Sequence, residues 1–556
     1  MGVVRLEVAK YMEDYTREYP LKRMPGMPAA IAATLILLTW IMWVHRHSQR
    51  NQKGPKKWLF IGCIIEQARN FDRIHDWLHD YHKKGCLTFS VPMISINNTF
   101  TVDPRNVEHI LKNNFSNYPK GDLIRERFGD MLGHGIFNVD GDMWRHQRKV
   151  ATLEFASSKL RDFSIHAFRT EALKLVQVLA IAARNGQRVD LQDLFMRLTL
   201  DSICKVGFGV DIGSLSPSLP AIPFANAFDE ANRLIVRRYI DPFWKLKRTL
   251  TIGGEAKLKK CINVVDTFIY KVIETRRAEM SAASTLDQDK HQHAGVDILS
   301  RFMSITDGDQ TYTDERLRDV VINFIIAGRD TTAITLSWFF FELCRNPQVV
   351  EKILEEVSTV LEVDPQAHLD LSNSRDAADF GDRVLEFAQL LTYQSLSKMH
   401  YLHAAITEAL RLYPAVPLET KVAAANDTFP DGTPIKKGEF VSYSSYSMGR
   451  LKYLWGADVA EFKPERWLRS GVYQPQSPFK LTAFQAGPRM CLGKDSSYLQ
   501  MKLTTVILLM FFKFQLERKD VPNYSLMVVL FIANGLPVNV FQRNGSESGT
   551  NGSEYL

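Results

Sequence analysis

At 556 residues, 45% of them hydrophobic and 11% aromatic, the chain has ample material for a large buried core. Its 69 Lys and Arg against 62 Asp and Glu leave a net charge of +7, which suits an acidic partner or an anionic membrane surface and argues against nucleic acid. The six cysteines (Cys63, Cys86, Cys204, Cys261, Cys344 and Cys491) are scattered without a CxxC pair, which excludes a zinc or disulfide framework and points to a reducing compartment.

After an N-terminal segment, residues 1–23, comes Met24–Val44, a run of 21 uncharged residues. Spanning a bilayer takes roughly 17–25 residues, so this run is predicted to be a transmembrane anchor, with Trp40 and Trp43 near one interface. Lys and Arg counts on its two sides are nearly balanced, leaning toward a cytosolic C-terminal body. A basic linker, residues 45–57, ends on the stiff break Gly54-Pro55. From 58 to 542 the chain reads as one unit, mainly α with small β-sheets; short β-like stretches fall at Leu87–Val91, Thr99–Val102 and Phe440–Tyr443. Polar breaks at Ser281–Ala294 and Asp364–Asp382 read as surface loops, and the Gly/Ser/Asn-rich tail, 543–556, as disordered.

Four motifs follow in chain order. Trp144 and Arg148 stand four apart, on one helix face, although W-x-x-x-R alone is a weak signal. Val321–Trp338 is an apolar helix interrupted by Ala327-Gly-Arg-Asp330-Thr331-Thr332; threonine hydroxyls there can bond back to carbonyls and bend the helix, and Gly328 leaves space beside the bend. Glu408 and Arg411 form E-x-x-R at i and i+3, ahead of Leu412-Tyr413-Pro414 and of Arg466 in Phe462-Lys-Pro-Glu-Arg-Trp. Last comes Phe484–Gly493, in which Phe484, Gly487, Arg489, Cys491 and Gly493 fit F-x-x-G-x-R-x-C-x-G. A thiolate ligand kept in an apolar pocket needs hydrogen-bond donors and a positive neighbour, and the glycines let the backbone approach the sulfur.

This decapeptide resembles the haem-ligand loop of the cytochrome P-450 monooxygenases, and the other three motifs stand in that family's order over nearly all of the chain from Trp58 onward. The resemblance implies the cytochrome P-450 fold and haem b, with Cys491 as the iron ligand and with Trp144, Arg148 and Arg489 toward the propionates. It further implies an oxygen groove in which the Thr331 alcohol orients oxygen and Asp330 relays protons, and a structural cluster of Glu408, Arg411 and Arg466. The reaction is then insertion of one atom of O2 into a C–H bond of a lipophilic substrate. Electrons come from a separate NADPH–cytochrome P-450 reductase, docked through Lys149, Lys494 and Lys502, at the endoplasmic reticulum membrane.

A narrower resemblance, in Ala327–Thr332, Tyr443–Trp455 and Phe484–Lys494, is to the fatty-acid and alkane ω-hydroxylase branch of fungi and plants. On that reading the channel lining is drawn from Ile322, Ile326, Ala327, Val416, Leu418 and Ile532. Arg233, Arg237 and Arg238 are candidate carboxylate holders, or else an exposed basic helix face. A hydroxylase of sterols, terpenoids or aromatics, a peroxide-isomerising member of the family, and a haem sensor or carrier without turnover are the alternatives.

Overall fold

The computed structural model describes residues 54–543, except 59, 94–95, 286–296, 305, 308–309, 364–376 and 519, together with 31, 33–37, 39–40 and 43. Most of the expected anchor, and the tail 544–556, lie outside the described residues. The described part of the anchor is helical, and Leu35, Ile36, Leu37, Trp40 and Trp43 are each more than half exposed.

Near the start of the body, helix α1 (Ile74–Lys83) leads into a hairpin of β1 (Thr88–Pro92) and β2 (Asn97–Thr101). Helices α2 (Asp122–Leu132), α3 (Gly141–Phe155), α4 (Ser158–Arg184) and α5 (Leu191–Phe208) follow. The last begins where its apolar run meets an N-cap: the Asp190 carboxylate accepts from the amides of Gln192, at 2.9 Å, and Asp193, at 3.4 Å. It stops at Gly209, which takes the left-handed conformation.

Helices α6 (Pro223–Arg237), α7 (Trp244–Leu250) and α8 (Gly253–Thr285) come next. The long apolar element runs as α9 (Asp314–Ile325), a π-turn over Ile326–Asp330, and α10 (Thr331–Arg345). By length and composition Asp314–Arg345 could cross a membrane, yet 78% of its most apolar window is buried inside the protein, so it is the central core helix. Beyond it lie α11 (Ala377–Gln389), α12 (His400–Leu412), β3 (Glu419–Val422), β4 (Phe440–Tyr443) and α13 (Lys494–Phe511).

The principal sheet has the order β1-β2-β4-β3. Its centre is a parallel pair, Asn98 opposite Phe440, flanked by antiparallel pairs on both sides. All three predicted strand positions are strands. The loop expected over Asp364–Asp382 is in part helix, because α11 starts at Ala377: Phe380, Val384 and Phe387 fall on one face, and Phe380 and Phe387 pack on Phe511. Ser281–Thr285, also expected as loop, continues α8, in keeping with the helix propensity of its alanines. One core runs from Met131 to Val540 around α9 and α10; a smaller one lies under the sheet and takes in Ala486 of the Cys491 loop.

Candidate functional site

The Cys491 loop is held by its backbone. The Cys491 amide donates to the Phe484 carbonyl at 2.9 Å, and Gly487–Arg489 forms a 3-10 turn. Gly487 has φ +65°, and a Cβ there would lie 2.0 Å from the Leu111 carbonyl oxygen, so only glycine fits. Gln485, at φ +61°, takes the same left-handed region without being glycine, and its side chain accepts from the Tyr443 hydroxyl. Phe484 packs its ring 5.4 Å from Tyr498.

Cys491 sits three residues before α13, at the end of the helix that favours negative charge. Surrounding protein pushes the thiol pKa up, while the Gly493 amide, Arg148 and Lys494 pull it down. The side chain nevertheless keeps exposed surface, as an iron ligand must.

Helix α3 brings Trp144 and Arg148 to this side. Trp144 is buried against Phe115, and the Arg489 guanidinium lies 4.5 Å over its ring. The Arg148 guanidinium has no hydrogen bond or ion pair among the described residues; burial lowers its pKa, and the neighbouring Cys491 sulfur opposes that shift. Arg489 is engaged with protein: it donates to the Val139 carbonyl and to Asp140, each at 2.8 Å.

Sequence reasoning missed the rest of this charge cluster. Glu419 and Lys421 lie two apart on β3, and Glu419 accepts from Lys421 at 3.1 Å and from Lys120. Lys421 is buried, and burial, with Lys120 and Arg489 near it, pushes its pKa down to about 7; Glu419 is held at about 2, chiefly by Lys120 and Lys421 acting against burial. The detectable signal was a same-face Glu-x-Lys in a strand whose only buried residue is the lysine. Lys120 and Lys421 face Glu419; Arg489 and, at 3.6 Å, Arg125 face Asp140; and Arg148 lies near Arg489 with no ion pair among the described residues, so cations outnumber carboxylates here. Haem b carries two propionates, which a cluster with more cations than carboxylates suits, and an accessible cysteine stands beside it. The residues present fit the group.

In the central helix Thr331 bonds back to the Ala327 carbonyl at 2.6 Å, the predicted back-bond, and the distortion is the π-turn. The space expected beside Gly328 is filled: a Cβ there would meet Ile203 of α5 at 2.7 Å. Asp330 is buried and accepts from Arg329 at 2.9 Å, while Arg329 also reaches Asp229 of α6 at 2.8 Å. Burial raises the Asp330 pKa, Arg329 opposes, and Asp229 adds to the rise. Ile326, Ala327, Val416 and Leu418 keep accessible surface. Ile322 and Ile532 have none and pack in the core, which removes them from a channel wall.

Glu408, Arg411 and Arg466 do meet. The Glu408 carboxylate accepts from Arg411 twice at 2.8 Å, from Arg466 at 3.3 Å, and from the Trp467 indole and the Lys463 amide. Two other expectations fail. Lys502 is buried and donates to the Leu396 and Met399 carbonyls, so it cannot serve a docking surface; Lys149 remains exposed. Arg238 is neither a free carboxylate holder nor part of an exposed face, because it is buried between Glu255 and Asp130. Arg233 pairs with Glu230, and Arg237 is exposed.

Comparison with known proteins agrees with this geometry. The family described as Cytochrome P450 matches residues 53–375 and 381–537. Cytochrome P450 704B1 of Arabidopsis thaliana is 50% identical over 93% of this chain and 100% of its own length. Cytochrome P450 704C1 of Pinus taeda is 45% identical over 93% and 98%, and Cytochrome P450 94A1 of Vicia sativa is 34% identical over 88% and 91%.

Proposed function

The chain belongs to the cytochrome P450 family and is a P450 monooxygenase; we propose that its substrate is a long-chain fatty acid or similar aliphatic chain, hydroxylated at or near the terminal carbon. The observation that carries this reading is the likeness of Ala327–Thr332, Tyr443–Trp455 and Phe484–Lys494 to the ω-hydroxylase branch. The relatives in the plant 704 and 94 groups support it.

Bound haem supplies the reductive activation of O2 that lets a C–H bond be attacked. The protein does the rest. The Cys491 sulfur is the proposed ligand, and the Gly493 amide, Arg148 and Lys494 stabilise its negative charge. Arg148, Lys120, Lys421 and Arg489, with Trp144 packed beneath, orient the two propionates. Phe484, Gly487 and Gly493 shape the loop that carries Cys491.

Asp330 and Thr331 handle protons. Arg329 serves two carboxylates with one charge, so it balances Asp229 and leaves Asp330 able to hold a proton near neutral pH. The Thr331 hydroxyl, already a donor to Ala327, can turn that donation toward oxygen. The presence of both groups speaks against a haem carrier without turnover.

The protein is further proposed to sit in the endoplasmic reticulum membrane, anchored through residues 24–44 with its body in the cytosol and reduced there by an NADPH–cytochrome P-450 reductase. Exposed apolar side chains at Phe60, Phe243, Leu246 and Leu250 give the body additional surface for lipid contact. Enzyme, reductase and NADPH incubated with fatty acids of graded length should give terminal or near-terminal alcohols by mass spectrometry. Turnover of a sterol, terpenoid or aromatic substrate, with none across the fatty-acid series, would overturn the reading.

A further inference from the structure

Helix α2 carries one cation whose charge the protein does not balance. Its three carboxylates at positions 122, 126 and 130 are taken: Asp122 by Arg125, Glu126 by Lys245 at 2.6 Å, and Asp130 by Arg238 and Arg248, each at 2.7 Å. Arg127 is left over. It is 9% exposed, makes one side-chain hydrogen bond, from Nη1 to the Leu123 carbonyl at 3.2 Å, and has no carboxylate within ion-pairing distance among the described residues. Its Nε is buried without any partner.

The surroundings are aromatic. The guanidinium lies 5.0 Å from the Tyr239 ring and 5.4 Å from the Phe440 ring. Ring faces offset only part of the cost of desolvating a cation. The Tyr239 hydroxyl has no hydrogen-bond partner among the described residues; burial pushes its pKa up to about 12, so it is a phenol with a proton to donate. A planar guanidinium fork beside a phenolic donor is the donor set that matches a carboxylate.

The site is rigidly placed. The carbonyl of Arg127 itself accepts from Arg238, which ties α2 to the end of α6 and the start of α8. Phe440 is paired with Val422, the residue after Lys421, so the site lies on the same sheet as the cofactor cluster. It adjoins that cluster, because Glu419 acts on both Lys421 and Tyr239, while the charges nearest Arg127 are Tyr239 and Glu126.

We propose that Arg127 and Tyr239 form the anchor for the carboxylate of the substrate, Arg127 by charge-assisted hydrogen bonds and Tyr239 by its hydroxyl. The assignment rests on the aliphatic-acid reading above and names the residues that select the acid within that class. It replaces the candidates on the α6 face, of which Arg233 and Arg238 are committed to protein carboxylates.

The test compares a long-chain fatty acid with its own methyl ester, which keeps the chain and loses the charge. Dissociation constants for both are measured on the full-length holoenzyme by displacement of a fluorescent fatty acid, in the wild type and in Arg127→Met, Arg127→Lys and Tyr239→Phe. Haem content and the reduced, CO-bound spectrum serve as the folding control. Arg127→Met should weaken the acid about 10- to 100-fold and leave the ester within about twofold, because a charged hydrogen-bond pair is lost and the chain contacts are kept. Arg127→Lys should recover part of that loss, and Tyr239→Phe should cost about three- to tenfold on the acid alone.

Equal weakening of acid and ester, or an unchanged acid affinity, would overturn the anchor. Where Arg127→Met lowers the yield of folded protein, Tyr239→Phe, which removes a single oxygen, carries the same acid-to-ester comparison. The two readings fail differently. A wild type that binds neither acid nor ester removes the aliphatic class and the anchor together. A wild type that binds the acid, with variants that do not discriminate, removes the anchor alone.

Discussion

Glu408→Gln is the substitution whose cost can be worked most directly from the structure. The carboxylate is fully buried and its two oxygens receive five donors. Oε2 takes Arg411 Nε and the Trp467 indole, both at 2.8 Å; Oε1 takes Arg411 Nη2, the Lys463 amide and Arg466 Nε. Glutamine keeps the shape but turns one oxygen into an amide nitrogen, so two or three donors then face a donor. It also removes the only carboxylate that pairs with Arg411 among the described residues. Breaking a buried pair in this way costs about 3–5 kcal/mol, against a total stability of about 5–15 kcal/mol for a typical protein. The expected result is a much lower yield of haem-loaded protein and a clearly lower urea midpoint with the same slope. Asp458→Asn, which removes a partly exposed partner of Arg466, should do far less. An unchanged midpoint in Glu408→Gln would refute the premise that this carboxylate holds the surrounding core together.

Cys491→Ala should abolish both the red-shifted band of the reduced, CO-bound protein and all monooxygenation; retention of a thiolate-type spectrum would point to another ligand. Thr331→Ala should keep haem and substrate binding while diverting NADPH electrons to hydrogen peroxide or water, read as the ratio of product to NADPH, with an effect of about a hundredfold or more on coupled turnover. On α1, burial holds the His75 and His82 pKa values near 4, below their ordinary 6.5; for His75, Asp76 opposes the shift and Arg450 adds to it. A base with a depressed folded pKa contributes stability that is whole above pH 6.5 and is lost as pH falls from 6.5 toward 4. Each should therefore cost about 1 kcal/mol by one unit below 6.5, and His75→Phe should flatten the urea midpoint against pH. Deleting residues 1–50 should move most of the enzyme from the membrane pellet to the supernatant, and undiminished pelleting would remove the anchor.

What could be read from the chain were the features whose chemistry is local. The Cys491 loop was legible because a thiolate, a close backbone and a tight turn must occur within ten residues, and Gly487 shows why no other residue serves there. The Glu408 and Arg411 pair was legible for the same reason, being one helical turn apart. The charge cluster around Glu419 was not, since Lys120 and Glu419 stand about 300 residues apart and nothing in either neighbourhood announces the other. Charge misled in both directions. Lys502 reads as a surface lysine but caps carbonyls inside the protein, and Arg127, which no motif singles out, lacks a counter-ion among the described residues. A side chain's charge is visible in a sequence; its exposure is a property of packing.

The parallel pairing of β2 with β4 has a consequence for how the protein is made. Thr101 pairs with Tyr443, and about 340 residues must be synthesised between the two strands. At the usual rate of about 5–20 residues per second, the β1–β2 hairpin waits roughly 20–70 s on the ribosome with one edge bare. Until β4 arrives the four-stranded sheet does not exist, and a nascent chain stopped before that point holds an open template for aggregation. The quality of the whole molecule is thus decided late in translation, when its C-terminal portion closes an edge exposed near the beginning.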